Sequence, residues 1–317
     1  MQLKLSASQL PFGSLLLIAP FFLWGTAMVA MKGVIPQTTP LFMAGMRTLP
    51  AGVLILVGAA LMGRQQPKGW KAWLWITFFA IVDAALFQGF LAEGLVRTSA
   101  GLGSVMIDSQ PLAVALLSWW LFKEHIGVWG WLGLGLGVIG ISLIGLPDDL
   151  IFDLISFRTP HSLLLTSHSL LESGEWLMLL ASLSMAVGTV TIRFVSHHAD
   201  PITATGWHLI LGGLPLWGLS SVVESQQWHN LVLFDWVGLA YATVFGSAIA
   251  YGLFFYFASS GNLTSLSSLT FLTPIFALIF GHLLLNEVLS QLQWIGVIIT
   301  LISIYIINQR DALAHTD

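Results

Sequence analysis

No cysteine occurs in the chain, which excludes disulfides, thiol redox chemistry, thiolate metal sites and a cysteine nucleophile. Charge is almost as scarce. Asp, Glu, Lys and Arg make up 8% of 317 residues, against about 25% in an ordinary soluble domain. A globule of this size needs a charged skin in water, and this sequence cannot supply one. No run of Lys or Arg is present and the formal charge is −4. That leaves no electrostatic footing for nucleic acid or for strong attraction to anionic lipid heads. A His-Glu-x-x-His zinc helix, a Gly-x-Ser-x-Gly elbow and a Gly-x-x-x-x-Gly-Lys phosphate loop are also missing. The common intramembrane protease and ATPase chemistries therefore lack their residues, and neither a cofactor nor a metal is expected.

What is abundant is apolar. Hydrophobic residues reach 56%, and the mean hydropathy is +0.86. At about 20 apolar residues per membrane helix, ten spans are expected. They fall at Phe12–Met31, Pro40–Met62, Trp70–Leu91, Thr98–Phe122, Val128–Leu146, Glu175–Val195, Pro201–Val223, Phe234–Phe257, Leu263–Leu285 and Leu289–Asn308. Lys4 followed by Leu15–Ala30 resembles a signal sequence, but that stretch is long enough to span and takes part in a repeat. The longest connection, 147–174, divides the chain between residues 12–146 and 175–308. Trp70, Trp73, Trp119, Trp120, Trp129, Trp131, Trp228 and Trp236 fall near span ends, where interfacial rings belong. Trp24 and Trp217 lie deeper.

Lys and Arg set the orientation. With the N-terminus inside, Lys4, Arg64, Lys68, Lys71, Lys123, Arg193 and Arg310 face the cytoplasm, while Lys32, Arg97 and Arg158 face outward. Both termini are thus expected in the cytoplasm of a multi-pass protein of the plasma (inner) membrane, or of a plastid envelope in a plant.

The halves echo each other. Pro111 to Glu124 and Pro274 to Glu287 repeat at one offset (274 − 111 = 287 − 124 = 163), which also pairs Gly89 with Gly252 and Trp131 with Trp294. A nearby offset pairs Lys32 with Arg193 and Arg47 with His208. Each half holds five helices. An odd number makes the second half enter from the opposite side, the inverted-repeat plan of many secondary transporters.

Several runs carry a resemblance: Phe22-Leu-Trp-Gly-Thr-Ala with Lys32, then Arg47, then Thr98-Ser-Ala-Gly-Leu-Gly-Ser-Val with Pro111 and Glu124 after it, then Leu263 to Pro274 and Glu287. In this order and repetition the chain resembles the EamA-type family of the drug/metabolite transporter superfamily. Ile107-Asp-Ser-Gln-Pro resembles its cyanobacterial and plastid branch. The resemblance implies a ten-helix, exporter-like carrier for metabolites or amino-acid-like compounds.

Charged groups at mid-bilayer cost about 2.5–3.5 kcal/mol each on insertion scales, so the few present are informative. Arg47, Asp83 and Asp108 fall within roughly 5 Å of one another in depth, at 1.5 Å rise per residue. They read either as a cluster lining a wet cavity, with one carboxylate exchanging a proton, or as a structural ion pair. Gln88, Glu93, Ser109, Gln110 and His208 are secondary candidates. Glu93 with Arg97 reads as a surface pair. His208 reads as a proton relay or a hydrogen-bonded packing residue, and His282 likewise. Trp24, Trp207, Trp217, Tyr251 and Tyr256 either wall a cavity or pack. Pro111 and Pro274 are expected to remove a backbone donor and kink matching helices. Glu124 and Glu287 read as span terminators. The glycines of the fifth span, Gly133 and Gly137 among them, point to close packing between the halves or between two protomers of a homodimer.

A multiply anionic solute would need several mid-membrane cations, and only Arg47 qualifies. The expected partner besides lipid is a zwitterionic, neutral or weakly charged small molecule, moved by proton exchange or facilitated diffusion. The alternatives are an intramembrane enzyme or a structural membrane protein without transport activity.

Overall fold

The computed structural model of the protein describes residues 13–97, 106–145, 151, 156, 174–285 and 290–314. Lys4, the Thr98–Ser104 run, Arg158, Glu287 and nearly all of the 147–174 connection lie outside the described residues. Regular structure among the described residues is helical throughout. The helices are α1 (Gly13–Lys32), α2 (Pro40–Leu61), α3 (Trp70–Phe79), α4 (Phe87–Arg97), α5 (Gln110–Phe122), α6 (Gly127–Gly145) and α7 (Gly174–Ser196). Beyond them come α8 (Pro201–Val223), α9 (Leu233–Thr243), α10 (Ala250–Ala258), α11 (Leu263–Ser268), α12 (Leu272–Leu285) and α13 (Gln291–Ala314).

Eight helices among the described residues are long and apolar enough to cross a membrane, with a shorter apolar helix at Leu15–Met31. Three of the eight are composite. A π-helical segment, Ala80–Leu86, joins α3 to α4, and a second, Val244–Ile249, joins α9 to α10. A 3-10 turn, Leu269–Phe271, joins α11 to α12. The α3–α4 helix runs to Arg97, beyond the expected end at Leu91. Glu93 and Arg97 therefore share one helix as an i,i+4 pair at 2.8 Å, instead of closing two different spans.

The chain packs as two compact units, each built from both sequence halves. The first is Met1–Ala85 with Gly188–Gly261, the second Leu86–Val187 with Asn262–Asp317. In the first unit α2 lies antiparallel along α8, tied at both ends. Arg64 pairs with Asp200 at 3.2 Å, and Thr38 donates to the Gln227 carbonyl at 2.6 Å. Glycines allow this contact: a Cβ on Gly52 would lie 2.6 Å from the Gly206 carbonyl. In the second unit α6 packs on α13 by the same device, and a Cβ on Gly296 would lie 2.7 Å from the Gly140 carbonyl. Ser303 also donates to the Gly133 carbonyl at 2.6 Å, and Gly137 seats the Phe271 ring. The glycines of α6 are thus used within the chain, between its two halves. The outer surface is apolar: Leu61, Leu233 and Phe234 are more than 80% exposed. In water that surface would drive aggregation, and in lipid it is ordinary. Trp70, Trp119, Trp120 and Trp228 are also exposed, as rings at a membrane edge should be.

Candidate functional site

Buried charge in the first unit centres on the π segment Ala80–Leu86. A π turn adds a residue to the helix and re-aims the residues beyond it, and here it holds Asp83 against α8. Asp83 Oδ2 lies 3.2 Å from His208 Nε2, with both side chains fully buried. The other ring nitrogen, Nδ1, is 2.6 Å from the Thr205 carbonyl one turn earlier in α8. A carbonyl can only accept, so Nδ1 carries a hydrogen. Nε2 then either accepts from a protonated Asp83 or, as imidazolium, donates to a carboxylate. Both arrangements contain one shared proton at the Nε2–Oδ2 contact. Removing it would set a carboxylate against a lone pair in a dry setting, which is strongly unfavourable.

Small residues make the approach possible. Gly212, one turn beyond His208 on the same face of α8, admits the π segment, and a Cβ there would lie 2.7 Å from the Ala80 carbonyl. From α7, Gly188 backs onto Asp83, and a Cβ would run into Asp83 Oδ1. That oxygen has no hydrogen-bond partner among the described residues. Aromatic rings close the surround. Phe79 stacks on His208 with centroids 4.0 Å apart, and the Phe255 edge meets the His208 ring at 5.4 Å.

The aromatic contacts continue along α10. Tyr251 stacks on Phe255, and Trp24 of α1 meets Tyr251 at 5.3 Å and Phe254 at 5.1 Å. The buried Trp24 indole nitrogen has no hydrogen-bond partner among the described residues. Tyr251 is within electrostatic range of Arg47, whose Nη1 donates to the Met31 sulfur at 3.0 Å. Trp24, Arg47, Asp83, His208 and Tyr251 thus belong to one unit. Asp108, Gln88 and Gln110 are buried in the other.

Other expectations resolve differently. Trp207 donates its indole N–H to Gln66 at 2.9 Å at the end of the α2–α8 pair. Trp217 packs on Gly45 at the outer surface, 43% exposed. Pro111 lies in the first turn of α5, after a break at Ser109, and Pro274 in the first turn of α12, after the 3-10 turn. Each missing N–H coincides with a local break in the helical ladder. Glu124 does more than end a span: its carboxylate accepts from the Leu263 and Thr264 amides at 3.0 and 3.2 Å and caps α11.

The sequence reading missed the two π segments and the contact they create. A signal was present. Asp83 and Gly246 are related by the repeat (246 − 83 = 163), and both fall inside π segments. Gly188 and Ala27 are related by the shorter offset (188 − 27 = 161), and Gly246 faces Ala27 much as Asp83 faces Gly188. The same crossing is built twice, with a carboxylate in only one copy.

The EamA-like transporter family matches residues 11–146 and again 172–309. The chain belongs to the EamA-like transporter family. The double match covers nearly all of it, as a two-repeat family requires. An uncharacterized transporter of Synechocystis sp. is 65% identical over 94% of this chain and 90% of its own length. A chloroplastic WAT1-related protein of Arabidopsis thaliana is 53% identical over 92% of this chain and 68% of its own length. Protein PecM of Dickeya dadantii is 29% identical over 90% of this chain and 88% of its own length. The first two relatives carry the cyanobacterial and plastid character seen in the sequence. One crystal structure, 14% identical, superposes with a TM-score of 0.73 over 92% of this chain and 94% of its own, and so shares the fold. This EamA-like chain is accordingly a multi-pass membrane transporter of small solutes.

Proposed function

We propose that the chain is a proton-coupled secondary carrier that exports a small zwitterionic, neutral or weakly charged metabolite, or amino-acid-like solute, by alternating access. The observation that carries this reading is the buried Asp83–His208 contact beside an aromatic wall that leads towards Arg47. A purely structural helix crossing would be better served by apolar residues, since buried ionisable groups in a membrane are expensive. The antiparallel course of α2 and α8, which are second and seventh in the ten-span reading, supports two inverted five-helix halves. So do the π segments at repeat-related places. Broken helices at Ser109 and Leu269–Phe271 are the kind of element around which carriers build solute sites. Asp108 and Gln110, which flank the first break, and the buried Gln88 are assigned to the solute path. The carrier is placed in the plasma membrane, or a plastid envelope, with both termini cytoplasmic.

The test compares metabolites inside and outside cells lacking the protein, cells restored with it, and cells restored with Asp108→Asn. Retention of one solute without the protein, with release by the wild type only, supports the reading. Equal distributions across a broad panel in all three strains would overturn it.

A further inference from the structure

We infer that Asp83 and His208 form one single-proton site whose occupancy holds the π segment Ala80–Leu86 against α8. The inference rests on the proposed carrier role and names its coupling site. The Nδ1 hydrogen is committed to the Thr205 carbonyl at 2.6 Å, so the only exchangeable proton of the pair is the one at the 3.2 Å Nε2–Oδ2 contact. Two titratable groups with one proton between them bind and release it as a unit.

Among the described residues, the groups named around the pair are apolar or neutral. α7 presents Gly188, α8 presents Thr205 and Gly212 beside His208, and α3 presents Phe79. α10 presents Phe255, with Tyr251 stacked behind it. Among the described residues, His208 is the titratable group that acts on Asp83, while Tyr251 acts on Arg47. When the proton leaves to water, the carboxylate meets the Nε2 lone pair, and among the described residues Asp83 Oδ1 has no hydrogen-bond partner to offset that repulsion. The segment that can yield is the π turn. Its conversion to α geometry turns one flank by about 100° relative to the other, which takes Asp83 off His208. Loss of one proton is thereby linked to a change of helix register. Gly246 at the repeat-related place has no carboxylate, so the switch exists in one half only.

The experiment needs no solute. The purified protein in lipid nanodiscs is titrated for proton release over the range in which carboxyl and imidazole groups ionise, beside Asp83→Asn and His208→Gln. Hydrogen exchange of the 80–86 peptide is recorded in the same samples. The wild type is expected to release one proton more than Asp83→Asn, while His208→Gln, which keeps the carboxyl, should release its proton at a different pH. Exchange protection of 80–86, corrected for the intrinsic pH effect, should fall about tenfold with that proton. In Asp83→Asn, whose amide can still donate to Nε2, protection should not respond. Proton release by Asp83→Asn equal to that of the wild type, or protection independent of the proton, would overturn the inference. Should Asp83→Asn not be recovered from membranes, the isotope-labelled His208 ring of the wild type decides. Nε2 must change its protonation or hydrogen bonding in the same step, and an Nε2 signal unchanged throughout overturns the inference. A chain that binds the proton as described but exports nothing would sink the carrier role alone. A chain that exports a solute with no such proton would sink the switch alone.

Discussion

His208 Nε2 stands 3.2 Å from Asp83 Oδ2 while its Nδ1 is tied to Thr205, which fixes the ring tautomer from one side and leaves one proton to be shared on the other. An amide at position 83 mimics the protonated carboxyl but cannot lose its hydrogen. Asp83→Asn is therefore expected to insert and fold normally and to exchange solute for solute across the membrane. Net transport driven by a pH gradient should fall at least about tenfold, a change of ~1.4 kcal/mol. Parallel exchange and net-flux assays in proteoliposomes, with the solute found by metabolite comparison, check this. Equal loss of both activities would count against a proton role.

Arg47 is buried with one nitrogen on the Met31 sulfur, and Tyr251 is in electrostatic range. Arg47→Ala and Asp108→Asn are each expected to lower transport about tenfold or more while leaving membrane insertion intact. Uptake or release rates normalised to protein in the membrane give the answer. Normal rates in both variants would make these residues structural.

Gly188 has no room for a methyl group because Asp83 occupies that space. Gly188→Ala should cost about 1–3 kcal/mol by overpacking and should displace Asp83 from His208. Thermal unfolding in detergent measures the cost, and proton release measures the displacement. Gly135→Ala, at a position open to a Cβ, is the control and should change neither.

Glu224 lies just past the end of α8 and caps α2, accepting from the Leu41 and Phe42 amides at 2.9 and 3.0 Å and from the Thr39 hydroxyl at 2.7 Å. A carboxylate at a helix N-terminus satisfies orphan donors and suits the helix dipole. Glu224→Ala and Glu124→Ala should each destabilise the protein by about 1–2 kcal/mol. The corresponding glutamine variants should lose less, because the amide oxygen still accepts. Melting temperatures of the four variants test the order.

The chain has no cysteine to remove, so single cysteines report topology directly. Gln66→Cys, beside the α2–α8 end held by Arg64 and Asp200, should be labelled by an impermeant maleimide only after the cells are opened. Gln37→Cys, in the connection at the other end of α2, should be labelled in intact cells. The reverse pattern would place the termini outside.

Much of the architecture was legible because lipid imposes simple rules. Apolar runs of fixed length, tryptophans at their ends and a repeat near 163 residues can be read from the sequence without any knowledge of packing. Asp83 and His208 could each be singled out, since charge at that depth is costly. Their meeting could not. Hydropathy does not report helix rotation, and a π turn leaves no trace in an evenly apolar run such as Ala80-Ile-Val-Asp-Ala-Ala-Leu.

By itself the sequence determined that this protein lives in a membrane, that its halves are related, and which few ionisable groups that membrane must tolerate. Transfer of side chains from water to lipid depends on composition and length, and both can be read in one dimension. Only the tertiary structure decided that Asp83 faces His208, that Gly188 and Gly212 make the space for it, and that α2 is capped by Glu224. Those contacts depend on helix register and on angstrom-scale clearances between backbones, which are fixed only once the helices have packed.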